Sequence, residues 1–136
     1  VVRRTHFRGL LSSLTQRGAN VGKAPKEVLA EFQANMPKLQ KAIPEVTADF
    51  AKKLMPDALK DGVLSTKVKE LVALGIAVCA TCDYCIAIHV KKCFEAGATK
   101  EEIAEALGVA ILMGGGPALT YSTFAMQAIE DFAPTT

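Results

Sequence analysis

Tryptophan is absent from this chain, and aromatic residues of all kinds make up 6% of it. The few aromatic side chains are not interleaved with the basic ones. That removes the stacking platforms a nucleic-acid surface would use and argues against nucleic-acid binding. No uninterrupted apolar run reaches the roughly 18 residues a membrane span needs, so no membrane association is expected. The longest such runs, Leu71 to Ala80 and Val109 to Met113, have core lengths. No stretch alternates with period two for long enough to read as a strand. Histidine occurs twice, at His6 and His89. Acidic residues are missing from positions 1–23, which carry Arg3, Arg4, Arg8, Arg17 and Lys23, and the chain starts without Met.

What is present is apolar and regularly helical. At 136 residues and 14.4 kDa the chain is one domain large enough to bury a core. Half of its residues are hydrophobic and the mean hydropathy is +0.23. That is high for a small monomer and suggests a subunit that hides apolar surface between copies. The net charge of +2 divides into +5 over residues 1–23 and −3 over the rest. In the first segment Phe7, Leu10, Leu11 and Leu14 follow helical spacing. It reads as a basic amphipathic arm (residues 1–23) packing on a neighbouring subunit, with an organelle-targeting segment as the alternative. His6, within it, reads as solvated.

Residues 24–136 form the helical domain. Pro25 opens a helix with Val28, Leu29, Phe32 and Met36 on one face, which Pro37 ends or kinks. A second helix runs from about Pro44 to Met55, and a short turn from Pro56 stops at Asp61-Gly62. Ser65 or Thr66 caps a third helix, apolar nearly all round and expected to be buried. Gly97 caps the helix after it. Thr99 and Glu102 form a capping box for a helix to Met113. Gly114-Gly115-Gly116 reads as a loop, without the preceding strand of a phosphate cradle, and Pro117 opens a last helix to about Phe132. The fold class is all-α, with six to eight helices arranged as hairpins.

Chemistry concentrates between Glu70 and His89. Helical residues turn by about 100° each, so Cys82, Cys85 and His89 fall within an arc of roughly 60°. Cys82 and Cys85 are three apart, close enough for a disulfide, and a helix N-terminus favours a thiolate there. Glu70 lies in an apolar helix and needs a partner, for which His89 on the next helix is the candidate. Glu70, His89 and Cys85 would form a relay that deprotonates a thiol. Tyr84, between the cysteines, can join the proton network or pack. Four cysteines could suggest a secreted disulfide framework, but their clustering fits a redox pair in a reducing cytosol better. Cys79, Cys82, Cys85 and His89 could imitate a metal set. One continuous helix rarely wraps four ligands round an ion, so no metal and no cofactor is expected. Cys79 and Cys93 read as packing residues, although Cys79 could exchange with Cys82.

Glu70, eleven residues, Cys82-x-x-Cys85, three residues and His89 resemble the signature of AhpD-like alkylhydroperoxidases, within the carboxymuconolactone decarboxylase family. The resemblance extends through Gly62 to Leu71 before it, and Ala96 to Thr99, Glu101 to Ile103 and Gly114 to Pro117 after it. It spans about residues 25–132. Some relatives carry a second histidine where this chain has Tyr84. The resemblance implies an AhpD-like bundle assembled as a homo-oligomer, often a trimer or hexamer. It implies a thiol peroxidase or disulfide oxidoreductase: Cys85 attacks a hydroperoxide, Cys82 resolves the sulfenic acid, and a thioredoxin-like or lipoyl dithiol resets the pair. Two rivals stand beside it. One is a lactone decarboxylase-type lyase, which needs an acid–base pair and no thiols. The other is a non-enzymatic helical oligomer whose thiols are core.

Overall fold

The computed structural model describes residues 22–135. Among these the chain is helical with no strand, as the missing period-two pattern predicts. The elements are α1 (Pro25–Ala42), α2 (Pro44–Asp49), a π-helical turn (Phe50–Leu54), α3 (Met55–Leu59), α4 (Thr66–Cys79), α5 (Asp83–Glu95) and α6 (Lys100–Phe132). The arm of residues 1–21, with His6, lies outside the described residues.

Helices α4, α5 and α6 pack on one another as the core, and α1 lies across α5 and α6. Leu74 and Val78 of α4, Ile86 and Val90 of α5, and Ile103, Leu107 and Ile129 of α6 are buried together. Caps sit where the side-chain chemistry puts them. Ser65 Oγ accepts from the Val68 amide at 3.3 Å. Thr99 and Glu102 exchange bonds of 3.1 and 2.9 Å, the predicted capping box. A Lys67–Glu102 ion pair of 2.7 Å ties α4 to the start of α6.

Two expectations about breaks are corrected, and a third holds. Pro37 does not end its helix, because α1 continues to Ala42. The segment from Pro44 runs end to end through α3, with the Met55 amide donating to Phe50 O five residues back. Pro56 accounts for that wide turn, since its ring would meet the carbonyl four residues earlier in a regular helix. The Gly114–Gly116 run does break the chain, as expected: Gly115 stands outside helical geometry at φ 64° and ψ −146°, so Lys100–Phe132 is two helices that meet at a kink. Gly114 is fixed by proximity: a Cβ there would lie 2.7 Å from Ala118 Cβ and 3.0 Å from Cys79 Sγ.

The exposed surface differs from expectation as well. α4 buries Glu70, Leu74, Ala77 and Val78, yet Val72 and Ile76 are exposed on its other side. They line an apolar groove of about 440 Å³ against Val109 and Met113 of α6, with Cys79 at its end. The kinked span Lys100–Phe132 is uncharged from Ala106 to Ile129 and is long and apolar enough, by length and composition alone, to cross a membrane. In this fold α1, α4 and α5 pack on it.

Candidate active site at the start of helix α5

The site is built on the turn between α4 and α5. Ala80 caps α4, the Thr81 amide donates to Val78 O, and the Cys82 amide donates to Ala77 O, each at 3.1 Å. This double bond pattern closes a helix C-terminus through one left-handed residue. α5 ends the same way, with the Gly97 amide on Phe94 O and the Ala98 amide on Cys93 O. There the left-handed residue is Gly97 (φ 81°), whereas after α4 it is Thr81 (φ 54°). A β-branched residue in this region carries a steric cost of about 1–2 kcal/mol. Thr81→Gly is therefore expected to raise stability by about 0.5–1 kcal/mol, after the added flexibility of glycine in the unfolded chain. Urea unfolding of the oxidised protein measures it, and a loss of stability would show that the threonine side chain is held by contacts that outweigh the strain.

Cys82 follows immediately and is the N-cap of α5. It forms a disulfide with Cys85 across a Cα–Cα distance of 5.3 Å. Its Sγ accepts from the Cys85 amide at 3.2 Å. A sulfur at a helix N-terminus that receives a backbone N–H is placed to carry negative charge when the bond is reduced. Both cysteines are half-buried, so a reductant can reach them.

One turn beyond Cys85, His89 Nδ1 lies 2.7 Å from Glu70 Oε2. The Glu70 side chain is 3% exposed, and that of His89 is 21% exposed. The buried acid thus has the partner that burial demands, and the ring is anchored with its other nitrogen free to face elsewhere. The contact joins α4 to α5 across nineteen residues of sequence. Tyr84, between the two cysteines, lies in the first turn of α5. Its ring packs on Phe32 of α1 with centroids 6.1 Å apart.

The remaining cysteines separate clearly. Cys93 is fully buried, and burial first, then the nearby Glu70 charge, push its thiol up to about 12. It is a packing residue, as read from the sequence. Cys79 also packs, with its Sγ beside Gly114 and its thiol donating to Ala110 O at 3.4 Å, but the residue keeps an exposed surface. No group of three or more metal-ligating side chains is gathered among the described residues.

Sequence reasoning missed two parts of the site. Thr81 has no signature, because threonine is not a residue that announces left-handed backbone. The other is a cavity of about 390 Å³ beside Glu70 and His89, walled by Ala51, Met55, Pro56 and Leu59. Lys92 and Glu95 stand at its rim, where Glu95 is held by Lys91 and Lys92 and its carboxyl lies below the usual range. Neither Cys82 nor Cys85 lines it. Pro56, with its demand for a widened turn, was the available signal.

Known proteins share this sequence pattern and this fold. The family model described as "Carboxymuconolactone decarboxylase family" matches residues 41–128. An uncharacterized protein of Cupriavidus necator is 37% identical over 105 residues, covering 77% of this chain and 92% of that one. The crystal structure of a carboxymuconolactone decarboxylase family protein from Legionella pneumophila superposes with a TM-score of 0.76 at 37% identity, over 81% of this chain and 97% of that one. A family member from Thermotoga maritima, with a suggested part in an antioxidative response, gives 0.58 at 31% identity, over 63% and 89%. With its Cys82–Cys85 disulfide opening a helix and a buried Glu70 bound to His89, this chain belongs to the carboxymuconolactone decarboxylase family and is AhpD-like.

Proposed function

We propose that the protein is a thiol peroxidase that reduces organic hydroperoxides through Cys82 and Cys85. The observation that carries this reading is the juxtaposition of the disulfide with the Glu70–His89 pair one helical turn away. In the reduced protein His89, held by Glu70, takes the proton of Cys85. The Cys85 thiolate attacks the distal oxygen of ROOH. The O–O bond breaks, Cys85 becomes a sulfenic acid, and RO⁻ leaves as ROH with the proton from His89. Cys82 then attacks the Cys85 sulfur, water departs, and the disulfide forms. Its position at the helix N-terminus, with the Cys85 amide on its sulfur, favours the thiolate that this step needs. A dithiol reductant, thioredoxin-like or lipoyl in type, closes the cycle by exchange and leaves as its own disulfide.

The test is direct. The protein is reduced, given one equivalent of cumene hydroperoxide and digested without further reduction. The expected product is the Cys82–Cys85 linked peptide, formed within seconds and reversed by dithiol. Thiols that remain free would sink the peroxidase reading.

One observation favours a second reading. The cavity beside the acid–base pair meets neither sulfur, which suits a lyase that moves protons on a lactone acid. Decarboxylation that persists in the Cys82→Ser/Cys85→Ser double variant would select it.

The site belongs to a homo-oligomer in a reducing compartment, with the α4–α6 groove covered by another copy. Its exposed Val72, Ile76, Val109 and Met113 support this, as an apolar patch of that kind marks an interface. Ile76→Glu with Val109→Glu is expected to convert the assembly to monomers by light scattering. A wild-type chain that is already monomeric would overturn the assembly.

A further inference from the structure

We infer that the cavity beside Glu70 and His89 binds the apolar group of the peroxide, and that Ala51 and Met55 set the size of group it accepts. The inference rests on the thiol-peroxidase reading for its substrate and on the cavity for its substance. At about 390 Å³ the cavity falls in the range of small-molecule sites. Its walls and its floor differ in chemistry. Ala51, Met55, Pro56 and Leu59 make one side, all apolar, while Thr66, Glu70 and His89 face them. Hydrogen peroxide gains nothing from such a wall, whereas an alkyl or aryl group leaves water against it.

Charge points the same way. Glu70 is engaged by His89, and Glu95 at the rim is engaged by Lys91 and Lys92. The cationic side chain at the rim is thus already paired, which disfavours recognition through a phosphate. The ligand that fits is an uncharged organic hydroperoxide with a branched or aromatic group. His89, which lines the cavity, stands one helical turn from Cys85, so an organic group seated in the cavity leaves the peroxide end to extend past the ring toward the sulfur.

The backbone supplies an independent reason to treat this wall as a built feature. The turn Phe50–Leu54 is π-helical, a rare geometry frequent at functional sites. The wide turn presents Ala51 and Met55 to the cavity and leaves Phe50 and Leu54 outside, where both are exposed. Among the described residues the turn contacts its flanking helices α2 and α3, which in turn meet α1 and α4, so its side chains can change without disturbing the α4–α5–α6 core.

The test compares kcat/KM for cumene hydroperoxide and hydrogen peroxide in the full chain and in Ala51→Phe, which fills the cavity. The ratio of the two values is expected to fall at least about tenfold, with Ala51→Leu between. An unchanged ratio in both variants would overturn the inference while leaving the peroxidase reading in place. A second readout needs no turnover. The product alcohol, 2-phenyl-2-propanol, is titrated into the oxidised protein and the His89 ring resonances are followed. They are expected to shift in the wild type and not in Ala51→Phe, and absence of a wild-type shift would overturn the site. Should neither peroxide be turned over while the alcohol still moves His89 only in the wild type, the cavity stands and the peroxidase reading falls.

Discussion

Cys85→Ser is expected to lower hydroperoxide turnover by at least roughly 10³-fold, because the hydroxyl left behind is a poor nucleophile beside the same base. Cys82→Ser is expected to behave differently. One equivalent of alcohol forms per chain, the cycle then stops, and a sulfenic acid accumulates on Cys85. A coupled peroxide assay with a dithiol reductant reads the first effect, and trapping with a sulfenic-acid reagent followed by peptide mass spectrometry reads the second. Sulfenic acid found on Cys82 in the Cys85→Ser protein, with turnover retained, would reverse the two roles. That outcome has a physical basis in the structure, since Cys82 is the sulfur at the N-cap that receives the Cys85 amide. The assignment to Cys85 therefore depends on His89 being the stronger influence. His89 is one turn away and anchored by a buried carboxylate, whereas the N-terminal field acts on both sulfurs.

Glu70→Gln is expected to reduce kcat/KM by about 10²–10⁴ at neutral pH, the range that positioned proton transfer supplies. The amide keeps the shape of the side chain and removes only the charge that holds His89 as a base. The pH profile separates this from damage to the fold. An unassisted thiol ionises near pH 8.5, so the variant is expected to recover as pH rises through about 8 to 9.5, while the wild type is already active below that. Cys93 does not confuse the alkaline limb, because its thiol is pushed up to about 12. A loss that is flat across pH would show that Glu70 matters for structure and not for the relay. The linkage sign for Cys93 itself is fixed by the same shift. Its folded value is raised, so the folded protein holds the proton more tightly, and its contribution to stability is present below about 9 and lost as pH rises toward 12.

Much of the site was readable from spacing because it depends on short-range geometry. Three- and four-residue separations on one helix make Cys82, Cys85 and His89 neighbours whatever the rest of the chain does. Ser65, Gly97 and the Thr99–Glu102 box are likewise local, and each stands where its side-chain chemistry implies. The Glu70–His89 bond is long in sequence but was also readable, since a carboxylate in an apolar helix demands a partner and few are available. Other features escaped because they are decided by neighbours. Pro37 signals interruption, yet α1 runs through it to Ala42, since packing along the whole helix outweighs one missing bond. Helix α4 is apolar on both sides in sequence, and only its position at the edge of the core leaves Val72 and Ile76 uncovered.

The sequence by itself determined the all-α class, the caps, and the pairing of two thiols with a histidine, because these follow from covalent connectivity and helical pitch. Tertiary structure alone decided that Thr81 takes the left-handed position, that Cys79 is exposed while Cys93 is sealed, and that a cavity opens beside His89. Those outcomes depend on which surfaces meet. The approach of α6 to the end of α4 requires Gly114, and the wall of the cavity comes from a π-helical turn some fifteen or more residues before Glu70 in the chain. Neither distance is encoded in any local run of residues, because each is the result of helices settling against one another to bury the same core.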